Sequence, residues 1–150
     1  MVRVIRYHAH CIDGIVAAAL ASIRWGVREW LPYVHPHPGK LPDIVEDAIG
    51  VDIPFVPGMR RWVDHHGTGL QYLTAQCITA SKTSVRCTMI FRPTAPSCVS
   101  LLPQPTSFVA LCAKVTQIDS GRFASAQEAC DPNDPVLMAA AAIHRLATPE

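Results

Sequence analysis

The chain has 150 residues, is 49% hydrophobic and carries a formal net charge of +1. A domain of this length buries about 70% of the surface its unfolded chain exposes, so one core, a single domain over residues 1–150, is the expectation. The near-zero charge argues against a broad basic face gripping nucleic acid, which requires many phosphate neutralisations, but is compatible with a phosphorylated small molecule or a short oligonucleotide.

The sequence opens on Val2-Arg-Val-Ile-Arg-Tyr7, β-branched and apolar, which predicts a buried first strand. A polar turn, His8-Ala-His-Cys-Ile-Asp-Gly14, follows, and Ile15 to Ile23 reads as a small-residue helix packed closely on a sheet. Strand, polar turn and helix begin a βαβ unit. The apolar run from Gly14 is far too short to span a bilayer, and no signal peptide precedes it, so a cytoplasmic protein without membrane contact is expected. The cysteines, Cys11, Cys77, Cys87, Cys98, Cys112 and Cys130, form no C-x-x-C pair and are expected as free thiols.

Val27 to Val34 predicts a second strand, weakened by Pro32. A Pro/His loop with His35 and His37 comes next, then a short helix over Asp43–Ala48, a strand over Ile49–Ile53, and a strand over Arg60–Val63 that ends in Asp64-His65-His66-Gly67. Between Thr68 and Gln104 no clear period is visible, although Pro96 could open a helix. Further on, Phe108, Leu111, Cys112 and Val115 share one helical face. Asp119 falls in a turn between helices, Ser125-Ala-Gln-Glu128 has the form of a capping box, and Asp134-Pro135 opens a last helix through Leu146. The fold class is α/β, a parallel β-sheet flanked by helices.

The chemistry lies in where acidic and imidazole groups fall. His8 and Asp13 follow the first strand, Asp52 ends another apolar run, and Asp64-His65-His66 ends a third. Strand carboxyl ends in open α/β sheets converge on one crevice where ligands bind. Oxygen and nitrogen donors gathered there suit Mn²⁺, Mg²⁺ or another first-row ion. Singly each is ordinary: an Asp before Gly is turn chemistry, and a His after a strand is a loop residue. The informative feature is their order together.

These residues resemble the DHH phosphoesterase family, which has RecJ-like and exopolyphosphatase-related members and takes its name from the triplet seen here as Asp64-His65-His66. Its first motif is matched by Tyr7-His8-Ala-His-Cys11-Ile-Asp13-Gly14, its lone aspartate by Val51-Asp52, and its later aspartate by Ile118-Asp119-Ser120. The resemblance implies the N-terminal DHH domain and a metal-dependent phosphohydrolase in which water attacks phosphorus without a covalent enzyme intermediate. It implies that His8, Asp13, Asp52, His65 and Asp119 are metal ligands, with Asp52 the bridge between two ions, Mn²⁺ foremost. His66 would contact substrate phosphate or orient a ligand, and Asp64 would steady the two imidazoles.

Cys11 departs from the pattern, standing where many members carry a first carboxylate; it reads either as a soft ligand or as a small buried residue. His10, His35, His37 and His144 match no motif, and Arg60 and Arg61 read as strand-edge residues. Larger members carry a second, C-terminal substrate domain for which this chain has no room. The chain is therefore expected to be a fragment, a minimal core that stands alone, or a domain whose site a second copy in a homo-oligomer or a partner completes, and a non-catalytic phosphate-binding or regulatory module is the alternative function. A structural zinc protein is disfavoured, since such sites use closed Cys/His tetrahedra.

Overall fold

The computed structural model describes residues 2–33, 46–56, 58–68 and 87–147. Five strands, β1 (Val4–His8), β2 (Glu29–Tyr33), β3 (Ala48–Val51), β4 (Arg61–Asp64) and β5 (Thr88–Phe91), form one sheet in the order β2-β1-β3-β4-β5. Every pairing is parallel. The helices are α1 (Ile12–Trp25), α2 (Val109–Asp119), α3 (Ala126–Ala129) and α4 (Pro135–Ala147), with single 3-10 turns at Val99–Leu101 and Thr106–Phe108. This is the expected α/β class, a parallel sheet with helices packed on it.

Register decides which side chains meet. Ile5 pairs with Ile49, and Val51 with Val63, so these four point to one face, where α1, α2 and the 3-10 turn at Val99 close over them. Arg6, Gly50 and Trp62 alternate to the other face. There Trp62 stacks on Phe91, meets Phe55 edge-on and donates its Nε1–H to the Ile53 carbonyl at 2.7 Å. Arg6, also buried, lies over the Tyr33 ring.

α1 sits close to the sheet because Ala17, Ala18 and Ala21 face it and are fully buried. The approach is closest at Gly14: a Cβ there would fall on the His8 carbonyl oxygen and lie 2.9 Å from His8 Cβ. Asp13-Gly14 is thus the first turn of a helix, which starts at Ile12 rather than Ile15, and the glycine permits the helix to touch the end of β1. Cys11 is the N-cap, its Sγ accepting the Gly14 N–H at 3.2 Å. Gly26, at φ 67°, ends the helix in the left-handed conformation.

The other expectations meet the structure unevenly. Pro32 lies within β2 because β2 is an edge strand, where a missing N–H costs no ladder bond. The short helix expected over Asp43–Ala48 is corrected at its end: Asp47 has φ 59° and Ala48 already begins β3, while residues 43–45 lie outside the described residues, as do Val34, His35, His37 and Cys77. No helix opens at Pro96; one 3-10 turn forms three residues later. Asp119 is the last residue of α2 rather than part of a turn. On α2, Cys112 and Val115 are buried, with Phe108 and Leu111 packed beside them, as the spacing requires. Ser125 caps α3 by accepting the Glu128 N–H at 3.1 Å, and Glu128 accepts from the Ala124 N–H at 2.6 Å. Asp134 caps α4 through the Val136 and Leu137 N–H groups, and a 2.8 Å ion pair with Lys114 ties it to α2.

Gly14→Ala is expected to destabilise the fold by about 1–3 kcal/mol, the usual cost of overpacking, because the obstructing atom is backbone. Gly50→Ala, whose Cβ would lie 2.5 Å from Met59 Sδ, near the end of an unbranched side chain rather than backbone, is expected to cost less. Urea denaturation of the two variants against the parent measures the difference.

Candidate metal centre

The strand order reverses between β1 and β3, since β2 lies on one side of β1 and all later strands on the other. A crevice opens at the carboxyl ends of strands at such a switch point. His8 is the last residue of β1, Asp13 lies in the first turn of α1, and Asp52 follows β3 directly. Asp64 ends β4, with His65 and His66 just beyond.

Asp52 is the hub. Its φ of 56° places an ordinary side chain in the left-handed region, a strain that turns the chain sharply after β3. Its carboxylate lies 3.4 Å from His8 Nδ1, 3.8 Å from His65 Nε2 and 3.6 Å from His66 Nδ1. The Cys11 thiol donates to it at 2.9 Å and the Cys98 thiol at 3.5 Å. Burial by itself would raise the Asp52 pKa, but hydrogen bonds from His8 and Cys11 and the charge of His66 outweigh it and hold the carboxyl below its usual range.

Asp13 is fully buried. Its two oxygens accept the Cys98 N–H at 2.7 Å and the Val99 N–H at 3.0 Å, yet burial, then the charges of Asp52 and Asp119, raise its pKa to about 8. Burial also raises Asp119. Near neutral pH a proton is therefore held where carboxylates crowd together.

His65 points into this crowd. Its Nε2 lies 3.3 Å from Asp119, 3.7 Å from Asp13 and 3.8 Å from Asp52, and this buried nitrogen has no hydrogen-bond partner among the described residues. Its Nδ1–H is committed to the Ala95 carbonyl at 3.2 Å. With Nδ1 so held, Nε2 is the nitrogen turned toward the carboxylates, the arrangement of a metal-ligating histidine with its second nitrogen fixed by a carbonyl. The donor set therefore fits a divalent cation. Among the described residues, three groups have ligand atoms within 4.8 Å of one another: Asp13, Asp52, His65 and Cys98; His8, Cys11 and Asp52; and Asp52, Asp64 and His66.

Asp64 holds the turn after β4. One of its oxygens accepts the His65 N–H at 2.9 Å, the His66 N–H at 3.3 Å and the His66 Nδ1–H at 2.8 Å. That last bond, opposed by partial burial and aided by the charges of Asp64 and Asp52, raises the His66 pKa to about 9. The His66 side chain is 50% exposed, against 13% for His65. The two neighbouring imidazoles thus occupy the mouth and the floor of one cleft.

All seven residues singled out from the sequence, His8, Asp13, Asp52, Asp64, His65, His66 and Asp119, are brought together here. His10 lies outside the ligand groups, its ring tilted against His8. Arg60 pairs with Asp47 and Arg61 lies over Trp25, both at the far end of β4 from Asp64. The sequence reading missed the segment Ala95–Val99, which orients His65 through the Ala95 carbonyl, caps Asp13 with two N–H groups and brings Cys98 to Asp52. A bond of 2.8 Å between the Ser97 and Thr116 hydroxyls ties this segment to α2. The available signal was the polar turn Ala95-Pro-Ser-Cys98 after a strand, but β5 itself had not been recognised.

Fold and cleft together define a parallel α/β protein whose switch point gathers carboxylate, imidazole and thiol groups that could hold a metal ion. No protein-family model matches the chain, and no curated protein matches it. Among solved structures it is similar to the pGpG-specific phosphodiesterase PggH from Vibrio cholerae, with a TM-score of 0.58 and 23% identity. The likeness covers 87% of this chain and 40% of that one, and it shows a DHH-like fold. No helix among the described residues is long and apolar enough to cross a membrane.

The raised pKa values fix a pH dependence. Asp13, raised to about 8, favours the folded state at low pH and loses that advantage as pH climbs from about 4 through 8. His66, raised to about 9, contributes stability that is complete below about 6.5 and gone above its folded value. In EDTA the melting temperature is thus expected to fall as pH rises from 5 to 9. The upward shift given by Mn²⁺ should grow over the same interval, because the cation displaces the Asp13 proton. Differential scanning fluorimetry across the series checks both slopes.

Proposed function

We propose that this chain is a divalent-metal-dependent phosphohydrolase acting on the phosphodiester of a short oligonucleotide or on a small phosphorylated molecule, polyphosphate included. The observation that carries this reading is His65 Nε2, buried, without a hydrogen-bond partner among the described residues and facing Asp13, Asp52 and Asp119. His8, Asp13, Asp52, His65 and Asp119 hold the metal in this reading, with Asp52, which reaches His8 on one side and His65 on the other, as the bridge. When bound, divalent cations lower the pKa of water and neutralise phosphoryl charge.

The chain's own groups do the rest. His66, held through Nδ1 by Asp64, keeps Nε2 for a phosphate or leaving-group oxygen at the mouth of the cleft. Protonated near neutral pH, it attracts an anion and can deliver a proton to the departing oxygen. Asp64 acts through His66 and the turn, without touching substrate. Cys11, already capping α1 and donating to Asp52, fits a positioning role better than that of a ligand. Mn²⁺ is the ion that the oxygen and nitrogen donors suit, with Mg²⁺ or another first-row ion as substitutes. Free thiols at Cys11, Cys87, Cys98, Cys112 and Cys130 fit the reducing cytoplasm.

We read residues 1–150 as one DHH-like unit, with further substrate contacts coming from a second copy or a partner. One competing reading is a phosphate-binding or regulatory module that keeps the same carboxylate and imidazole cluster without turnover. The experiment that separates them is Mn²⁺-dependent cleavage of an aryl phosphodiester, of pGpG and of polyphosphate. Hydrolysis of any one supports the enzyme; tight Mn²⁺ binding with no cleavage of all three supports the module.

Two variants test the assigned roles. His65→Ala is expected to remove metal binding and turnover together, exceeding the roughly 10–100-fold loss that outer partners of a metal cause. His66→Ala should lower turnover by roughly 100-fold or more, the range of a lost acid–base group, while most metal affinity persists. Calorimetric Mn²⁺ titration beside rate measurements reads the split, and equal metal loss in both variants contradicts the roles.

A further inference from the structure

We propose that Cys98 adds a sulfur ligand to the cation that Asp13, Asp52 and His65 would hold, so that this position prefers thiolate-binding cations such as Co²⁺, Zn²⁺ or Fe²⁺ over Mg²⁺. The inference rests on reading the cleft as a metal centre and deepens it by naming the cation class.

Geometry carries it. Ligand atoms of Asp13, Asp52, His65 and Cys98 all lie within 4.8 Å of one another. Tetrahedral bonds of about 2.0–2.3 Å imply donor–donor edges of about 3.3–3.8 Å. His65 Nε2 stands 3.7 Å from Asp13 and 3.8 Å from Asp52, and Cys98 Sγ stands 3.5 Å from Asp52. These four groups come from four separate places in the chain, and the partnerless His65 Nε2 independently marks the space between them.

The two thiols on Asp52 differ in what else they do. Cys11 Sγ is engaged twice at short range, donating to Asp52 at 2.9 Å and accepting the Gly14 N–H at 3.2 Å. Cys98 is fully buried, and among the described residues its sulfur has long contacts, 3.5 Å to Asp52 and 3.8 Å to the Val63 carbonyl. Its position is nonetheless fixed, because its N–H donates to Asp13 at 2.7 Å. A sulfur held firmly, with weak contacts, in the same donor group as the unpaired imidazole is placed to bind. On ligation the S–H bond breaks, its proton leaves to solvent, and a sulfur–metal bond forms with no change of oxidation state. Sulfur in the donor set then shifts selectivity toward the softer first-row ions.

Co²⁺ titration of the metal-free chain tests the idea without any activity measurement. The expected result is visible d–d absorption together with a near-ultraviolet sulfur-to-cobalt charge-transfer band. That band should be lost in Cys98→Ser and kept in Cys11→Ser. Visible Co²⁺ bands without charge transfer, or loss of the band only in Cys11→Ser, overturn the Cys98 assignment and leave the metal centre standing. Absence of any Co²⁺ binding overturns both. Should Cys98→Ser fail to fold, ¹¹³Cd NMR of the Cys11→Ser variant decides: a shift in the sulfur-ligated range supports the proposal, and one in the all-nitrogen-and-oxygen range overturns it.

Discussion

Asp13 and Asp52 stand buried at the end of the sheet with ligand atoms within 4.8 Å, and their repulsion governs the architecture around them. At an effective dielectric of 20, two unit charges at that distance oppose each other by about 3.5 kcal/mol. The fold answers differently for each. Asp52 collects donors from His8 and Cys11 and the charge of His66, and stays ionised. Asp13 receives two backbone N–H groups, which do not suffice, and its proton is retained to about pH 8. Positive charge is what the cleft lacks, and a cation is its simplest complement.

The sheet makes this crowding attainable. Parallel strands deliver their carboxyl ends to one edge, and the switch between β1 and β3 opens the space there. Close packing then fixes the positions: α1 rests on β1 through Gly14, so Asp13 and His8 cannot move apart independently. The segment from Ala95 to Val99 does similar work on the opposite side, holding the floor imidazole and the buried carboxylate from one short stretch of backbone.

Much of this was legible in the residues. The β-branched run before His8, the alanine-rich helix after Asp13 and the placement of Asp52 and Asp64 at the ends of apolar runs were enough to locate six of the seven groups near strand ends, and the resemblance added Asp119. Where the reading failed, tertiary context had decided. Asp43–Ala48 reads as helix by composition, yet Ala48 is the first residue of a strand buried on both faces, where β1 and β4 supply its hydrogen bonds. β5, Thr-Met-Ile-Phe, is four residues long, partly exposed and without alternation, so nothing local announces it. Its invisibility hid Cys98, whose importance comes from contacts with Asp13 and Asp52, 85 and 46 positions earlier.

The order in which the ligands lie along the polymer has a consequence for biosynthesis. A ribosome releases this chain from its N-terminus at about 5–20 residues per second, and parallel pairings, being non-local, form slowly. The segments carrying His8, Asp52 and Asp64 therefore emerge well before Cys98 and Asp119. For an interval of seconds the nascent polypeptide can bring the early carboxylates together without the segment that caps them. Capture of a proton or a cation during that interval would relieve the crowding until Cys98 and Val99 arrive to cap Asp13.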